Sequence, residues 1–273
     1  MTSTDVTSTS AELVLTGISK SYGTNLAVRD ITADAPAGKV SVIVGPSGCG
    51  KSTLLRIISG LDVPTTGAVT FDGRQVSGVP DGLAMVFQDY ARSLFPWMRV
   101  DKNIAFPLEH LPRPERAARV QEAIDAVGLS GKEKLYPWQM SGGMQQRVAI
   151  ARALASHPKL LLMDEPYASV DAQTRAELED LLLAIQARLG ITVLVVTHDI
   201  DESVYLADHI IVLSKPPSVV AETIEVDLPR PRDHITTKTD PRFVEIRTRV
   251  TRLLRGEGVA ADGPRDSVVS KAH

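Results

Sequence analysis

A single cysteine, Cys49, stands in 273 residues. No internal disulfide framework is possible, and one thiol suits a reducing compartment. Long apolar runs are missing as well. The longest, such as Ile191–Thr197 and Leu160–Met163, are strand-length and far short of the roughly 18–20 residues that cross a bilayer. Any membrane contact is therefore expected to go through a partner. Positive charge is not in excess: 30 Lys and Arg face 33 Asp and Glu, a net charge of −3, so no nucleic-acid partner is expected. Residues 1–11 lack the basic stretch and apolar centre of a signal peptide. Poor in large apolar residues, they read as a disordered leader. No internal repeat and no heptad run is present. What remains is 43% hydrophobic and 23% charged, the composition of a soluble globular chain long enough to bury a full core.

Short apolar runs predict strands at Leu13–Ile18, Val40–Val44, Ala68–Phe71, Leu83–Phe87, Leu160–Met163, Thr192–Val196, His209–Leu213 and Val219–Val226. Helical spacing covers Leu54–Ser59, Arg116–Val127, Gln145–Ala155 and Thr174–Leu189. Strands alternating with helices mean a largely parallel α/β sheet. The stretch of about 89–156 shows helical spacing punctuated by Pro and Gly and reads as an insertion into that sheet. Beyond a Pro-rich, charged segment, Phe243, Ile246, Val250, Leu253 and Leu254 recur at helical spacing, predicting an amphipathic helix over about 241–255. Its arginines fit either a membrane surface or a solvated face of a helix packed on the domain. Residues 256–273 read as a flexible tail.

Chemistry concentrates at two places. Gly45-Pro46-Ser47-Gly48-Cys49-Gly50-Lys51-Ser52-Thr53 fits the phosphate-loop pattern G-x-x-x-x-G-K-[ST], with a buried strand before it and a helix after. Glycines let successive backbone N–H groups face phosphate oxygens, and the helix adds its positive end. Lys51 then reaches the β- and γ-phosphates, and the Ser52 hydroxyl can ligate Mg²⁺. Cys49 inside the loop reads as a filler rather than a reactive thiol. The second place is Leu160-Leu161-Leu162-Met163-Asp164-Glu165, an apolar strand ending in two carboxylates. Asp164 at the tip suits the Mg²⁺ hydration shell, and Glu165 suits a general base for the attacking water. The competing reading makes both acids the start of a helix, because Pro166 follows.

Met140-Ser141-Gly142-Gly143-Met144-Gln145-Gln146-Arg147 resembles the signature of the ABC ATPases, L-S-G-G-Q, with Met140 for Leu and Met144 for Gln. Ser-Gly-Gly before a helix is a second anion-binding terminus, one more than a single nucleotide needs. The resemblance covers residues 12–255 as one ATPase domain. It implies a P-loop NTPase core of the RecA-like kind, with an inserted helical subdomain and an antiparallel β edge near the N-terminus.

Further positions match the family in order. Tyr22 stands where an aromatic stacks on adenine, although a tyrosine after a strand also suits plain packing. Gln88 matches the glutamine that touches Mg²⁺ and the attacking water. Asp171 matches the acid of the S-A-L-D segment, and His198 the switch histidine at the γ-phosphate. The family works as a homodimer closed by ATP, with Ser141, Gly142 and Gly143 of one chain facing the nucleotide held by the other. Two membrane permease subunits, and indirectly a solute-binding protein, are then its partners, at the cytoplasmic face of the cell membrane.

Gln88-Asp89-Tyr90-Ala91-Arg92-Ser93-Leu94-Phe95-Pro96-Trp97 and Ile211-Val212-Leu213-Ser214-Lys215-Pro216-Pro217 are similar to the importers of nitrate, taurine and aliphatic sulfonates. Within the first, Leu94–Met98 is an apolar cluster expected either to meet a permease helix or to fill the local core. Three rivals are weaker on the residues present. A ribosomal ATPase usually carries two cassettes, a DNA-repair ATPase a long coiled coil, and a non-hydrolysing regulator no counterpart of Glu165. A soluble ABC ATPase uncoupled from transport is the alternative that stays open.

Overall fold

The computed structural model describes residues 12–257. The strands are β1 Leu13–Tyr22, β2 Asn25–Ala35, β3 Val40–Val44, β4 Thr66–Phe71, β5 Arg74–Gln75, β6 Leu83–Val86, β7 Leu160–Asp164, β8 Thr192–Thr197, β9 His209–Leu213 and β10 Val220–Glu225. The helices are α1 Lys51–Ile58, α2 Tyr90–Ser93, α3 Val100–Ala105, α4 Arg113–Ala126, α5 Gly142–Leu154, α6 Ala172–Leu189, α7 Ile200–Leu206, α8 Thr236–Thr239 and α9 Pro241–Arg255.

Six strands form one sheet in the order β10-β9-β3-β8-β7-β6. All its pairs are parallel except β10 with β9. A second sheet, β2-β1-β4-β5, is antiparallel. Every residue of β3, β7 and β8 is buried, as expected for parallel strands covered on both faces. Side chains alternate between those faces. Val40, Val42, Val44, Leu161, Met163, Val193 and Val195 join the core under the helices. Ile43, Leu160, Leu162, Leu194 and Val196 join a second core with α1 and the antiparallel sheet. Between β6 and β7 every element is helical.

Strand β2 carries no strand signal in the sequence. Its buried Val28 and Ile31 are separated by Arg29 and Asp30, and Asp30 has a φ of 49°, so the register slips there and strict alternation is lost. Helix α1 begins three residues before the expected Leu54, because Lys51-Ser52-Thr53 are helical but carry no apolar periodicity. Pro166 starts no helix: the chain turns through 166–170, and α6 begins at Ala172 with Asp171 as its N-cap.

Asp240 caps the start of α9 and Gly256, with φ of 82°, ends it. Phe243 and Val250 are fully buried against the domain. The apolar face of α9 is therefore used in the core, which removes the membrane-surface reading. The expected leader 1–11, and the tail from 258 on, lie outside the described residues.

Candidate functional site

Strands β3, β8, β7 and β6 are adjacent and parallel, and they end at Val44, Thr197, Asp164 and Val86. The residues that follow all leave the carboxyl edge of the sheet, where open α/β sheets bind ligands.

Residues 45–50 wrap between β3 and α1. Gly48 and Gly50 have φ of 76° and 93°, and a Cβ on Gly50 would strike Val28 Cγ1 at 2.6 Å. Only glycine fits there. A Cβ on Gly45 would meet Cys49 Sγ at 2.7 Å. Cys49 itself is fully buried, and burial pushes its thiol up, opposed by the nearby Lys51 charge; the side chain packs and stays protonated. The Ser218 hydroxyl donates to the Cys49 carbonyl, tying the loop to the β9–β10 turn. Lys51, almost buried, donates to the carbonyls of Gly45 and Pro46 at 2.9 and 3.1 Å.

Four predicted residues converge. Glu165 Oε1 lies 3.6 Å from Lys51 Nζ. Its Oε2 accepts from Gln88 Nε2 at 3.2 Å and lies 3.1 Å from His198 Nδ1. Glu165 has a φ of 42°, sparsely populated for a residue with a side chain. Its N–H donates to the Val196 carbonyl at 2.8 Å, which turns the carboxylate across the strand ends. One residue back, Asp164 accepts from the Ser52 hydroxyl at 3.5 Å. Burial raises the Asp164 carboxyl above its usual range, partly offset by that hydrogen bond.

Five predicted residues lie elsewhere. Ser141 is the N-cap of α5, accepting from Met144 N at 3.3 Å. Among the described residues no hydrogen bond or ion pair joins Ser141, Gly142 or Gly143 to the phosphate loop. Gly143 packs instead on Thr174, whose methyl would collide with any Cβ added there. Asp171 is next to it, accepting from Thr174 N at 3.0 Å and Thr174 Oγ1 at 2.7 Å. The backbone bond, and then the hydroxyl one, hold its carboxyl below the ordinary range. Tyr22 ends β1, about half exposed, and its hydroxyl donates to Asp62 at 2.8 Å.

The apolar cluster 94–98 is divided. Leu94 is buried, whereas Trp97 is 69% exposed and Phe106 44%. The Phe95 ring meets both at a tilt, with centroids 4.6 Å from Phe106 and 5.6 Å from Trp97. Buried Asn103 fixes the segment by accepting from Phe95 N and donating to the carbonyls of Phe95 and Met98.

A buried polar group behind the site went unread in the sequence. Arg175 NH1 bonds Asp199 Oδ2 at 2.9 Å, and Asp199 caps α7 through Glu202 N at 3.1 Å. Tyr167, Arg175 and Glu202 line a cavity of about 60 Å³ that Glu165 and His198 also border. Burial holds Glu202 well above the usual carboxylate range and raises Glu179 to about 7. The signal was present as Asp199-x-x-Glu202, a capping-box spacing directly after His198.

Two hard oxygen donors, Ser52 and Asp164, face each other, and no group of three His, Cys, Asp or Glu able to hold a metal exists among the described residues. That set suits Mg²⁺, which keeps waters and substrate phosphates in its shell.

A family model described as "ABC transporter" matches residues 28–168. The aliphatic sulfonates import ATP-binding protein SsuB of Bacillus licheniformis is 45% identical over 223 residues, 82% of this chain and 85% of that one. The nitrate import ATP-binding protein NrtD of Synechocystis sp. is 41% identical over 241 residues, 86% and 90% of the two chains. Some relatives are longer: the chain spans 35% of the bicarbonate transport ATP-binding protein CmpC of Synechococcus elongatus. A dimeric ATP-binding cassette solved in a post-hydrolysis state with ADP and Pi superposes with a TM-score of 0.69 and 33% identity, covering 78% of this chain and 98% of that one.

Proposed function

Because this chain belongs to the ATP-binding family of ABC transporters, we propose that it is the ATP-hydrolysing subunit of an importer for a small anionic or zwitterionic solute. Nitrate, taurine or a sulfonate are the class. No helix among the described residues is long and apolar enough to cross a membrane, so the pore would be made by two separate permease subunits, with a solute-binding protein delivering the cargo. The chain would then sit at the cytoplasmic face of the membrane, with residues 89–156 as the helical subdomain.

One observation carries this reading: Lys51, Gln88 and His198 all converge on the Glu165 carboxylate. In the roles we assign, Glu165 takes the proton of the attacking water and Gln88 orients that water. His198 and Lys51 face the γ-phosphate, and the backbone of 45–53 cradles the phosphates. Ser52, Asp164 and Gln88 are the residues that would hold Mg²⁺, which would supply charge neutralisation of the phosphates. Since Ser141 and Gly143 do not reach the phosphate loop of their own chain, we assign them to the nucleotide of a second copy. Asp171, bonded to the Thr174 on which Gly143 packs, is assigned to that same junction. The exposed ring of Trp97 is proposed as part of the groove for a permease helix.

The test has two arms. Purified chain hydrolyses ATP with Mg²⁺, and Lys51→Ala abolishes turnover while the fold is retained; wild-type rates in that variant would remove the phosphate-loop assignment. Co-production with any permease found encoded beside it moves the chain to the membrane fraction. An active ATPase that stays soluble beside every adjacent permease supports the uncoupled alternative instead.

A further inference from the structure

The turn that follows α1 grips the end of β1. Asp62 accepts from Lys20 Nζ at 2.6 Å and from Tyr22 Oη at 2.8 Å. Lys20 Nζ donates again, to the Val63 carbonyl at 2.7 Å. Ser21 N donates to Thr65 Oγ1 at 3.0 Å, and Thr65 N to the Ser19 carbonyl at 2.7 Å. The hydrogen bonds from Lys20 and then Tyr22 hold the Asp62 carboxyl down at about 2. The Lys20 ammonium also stands over the Tyr22 ring, 5.1 Å from its centroid. The turn itself is fixed, since Gly60 (φ 73°) lies so close to the Gly78 carbonyl that no side chain fits.

We propose that Asp62 is a positioning residue for nucleotide binding: it ties the Tyr22 ring to the far end of the helix whose near end carries Lys51 and Ser52. Helix α1 has 8 residues, about 12 Å at 1.5 Å per residue. One short rigid rod thereby joins the phosphate cradle to the aromatic ring, and Asp62 sets the distance between them. A ring already held by its hydroxyl does not have to be ordered when the base arrives, so that entropy is not subtracted from the affinity. Lys20 lies over the ring, and Tyr22 stays about half exposed, so ring surface remains open to a purine. This inference rests on reading Tyr22 as the residue that stacks on adenine.

The test separates base from phosphate. Asp62→Ala raises the Kd and KM for ATP by about 2- to 10-fold, the size of one lost hydrogen bond, while kcat at saturating ATP is kept. Binding of tripolyphosphate, which has no base, is unchanged. Tyr22→Phe keeps the ring and the Lys20–Asp62 pair yet loses the same tie, so it weakens ATP similarly and carries the test if Asp62→Ala does not fold. Combining the two adds little, because both break one link. A folded Asp62→Ala variant that binds ATP like wild type overturns the proposal. So does equal loss of ATP and tripolyphosphate affinity, which would mean general damage. If Tyr22→Ala leaves ATP affinity intact while Lys51→Ala destroys it, the base binds elsewhere; the proposal then falls, but the ATPase reading stands.

Discussion

His198 Nδ1 lies 3.1 Å from Glu165 Oε2, the same oxygen that Gln88 Nε2 reaches at 3.2 Å. The ends of β8 and β6 thus meet on one atom of the residue that follows β7. Replacing Glu165 by Gln keeps the shape but removes the proton acceptor. We expect kcat to fall by ~10²–10⁴, the usual contribution of a general base, with ATP still bound and the dimer persisting. Gel filtration with ATP and Mg²⁺ checks the second part; monomer at every concentration would count against a nucleotide-closed dimer.

The assignment of Ser141 to the opposite nucleotide is tested by mixing variants. Gly143 is unsuitable as the target, because a side chain there collides with Thr174 within the same chain. Ser141→Asp is better: Asp is an equally good N-cap, so the start of α5 is preserved while a negative charge faces the γ-phosphate. Neither Ser141→Asp nor Lys51→Ala should associate with ATP alone. Mixed, they leave one composite site intact, and ATP-dependent heterodimers should form. Their absence from a mixture of folded proteins would refute the arrangement.

Trp97→Ala should uncouple transport from hydrolysis without unfolding the domain, because Leu94 and Asn103 hold the segment, whereas the indole is mostly in solvent. Transport in proteoliposomes should fall while ATPase activity in detergent is kept. A drop of many degrees in melting temperature would show the ring to be structural.

Glu179 gives a pH prediction. Burial raises its carboxyl from 4.5 in the unfolded chain to about 7 in the fold, so the folded state favours the protonated form. The stability this gives is complete below pH 4.5 and is lost as pH rises towards 7. Glu179→Gln should therefore stabilise the protein, relative to wild type, more at pH 8 than at pH 5. Melting curves at the two values decide it; an equal effect at both would show that Glu179 is ionised throughout.

The sequence made the parallel sheet legible because strands buried on both faces are written as continuous apolar runs, as in Val40–Val44 and Leu160–Met163. The phosphate loop was legible because glycine is required at Gly50, where Val28 stands. What stayed hidden depended on distant contacts. The strand β2 exposes Arg29 and Asp30 and looks like a loop until Leu13–Tyr22 pairs with it. Nothing near Asp62 announces that it holds Tyr22, 40 positions earlier in the chain. The acid Glu179 looks like an ordinary solvent-facing helix residue, and the packing of α6 against other parts of the chain, His234 among them, buries it.

Four neighbouring strands deliver every reactive side chain of this chain's half-site to one rim of the sheet. At the opposite rim lie the joints that enter the strands, among them Gly38, Gly82, the Lys159 turn and Gly190. Peptide insertions at those joints should alter yield and solubility and leave turnover alone, so that rim is where an affinity tag or fluorophore belongs. A graft of the same length on the catalytic rim would instead move Gln88, Glu165 or His198 off their shared oxygen.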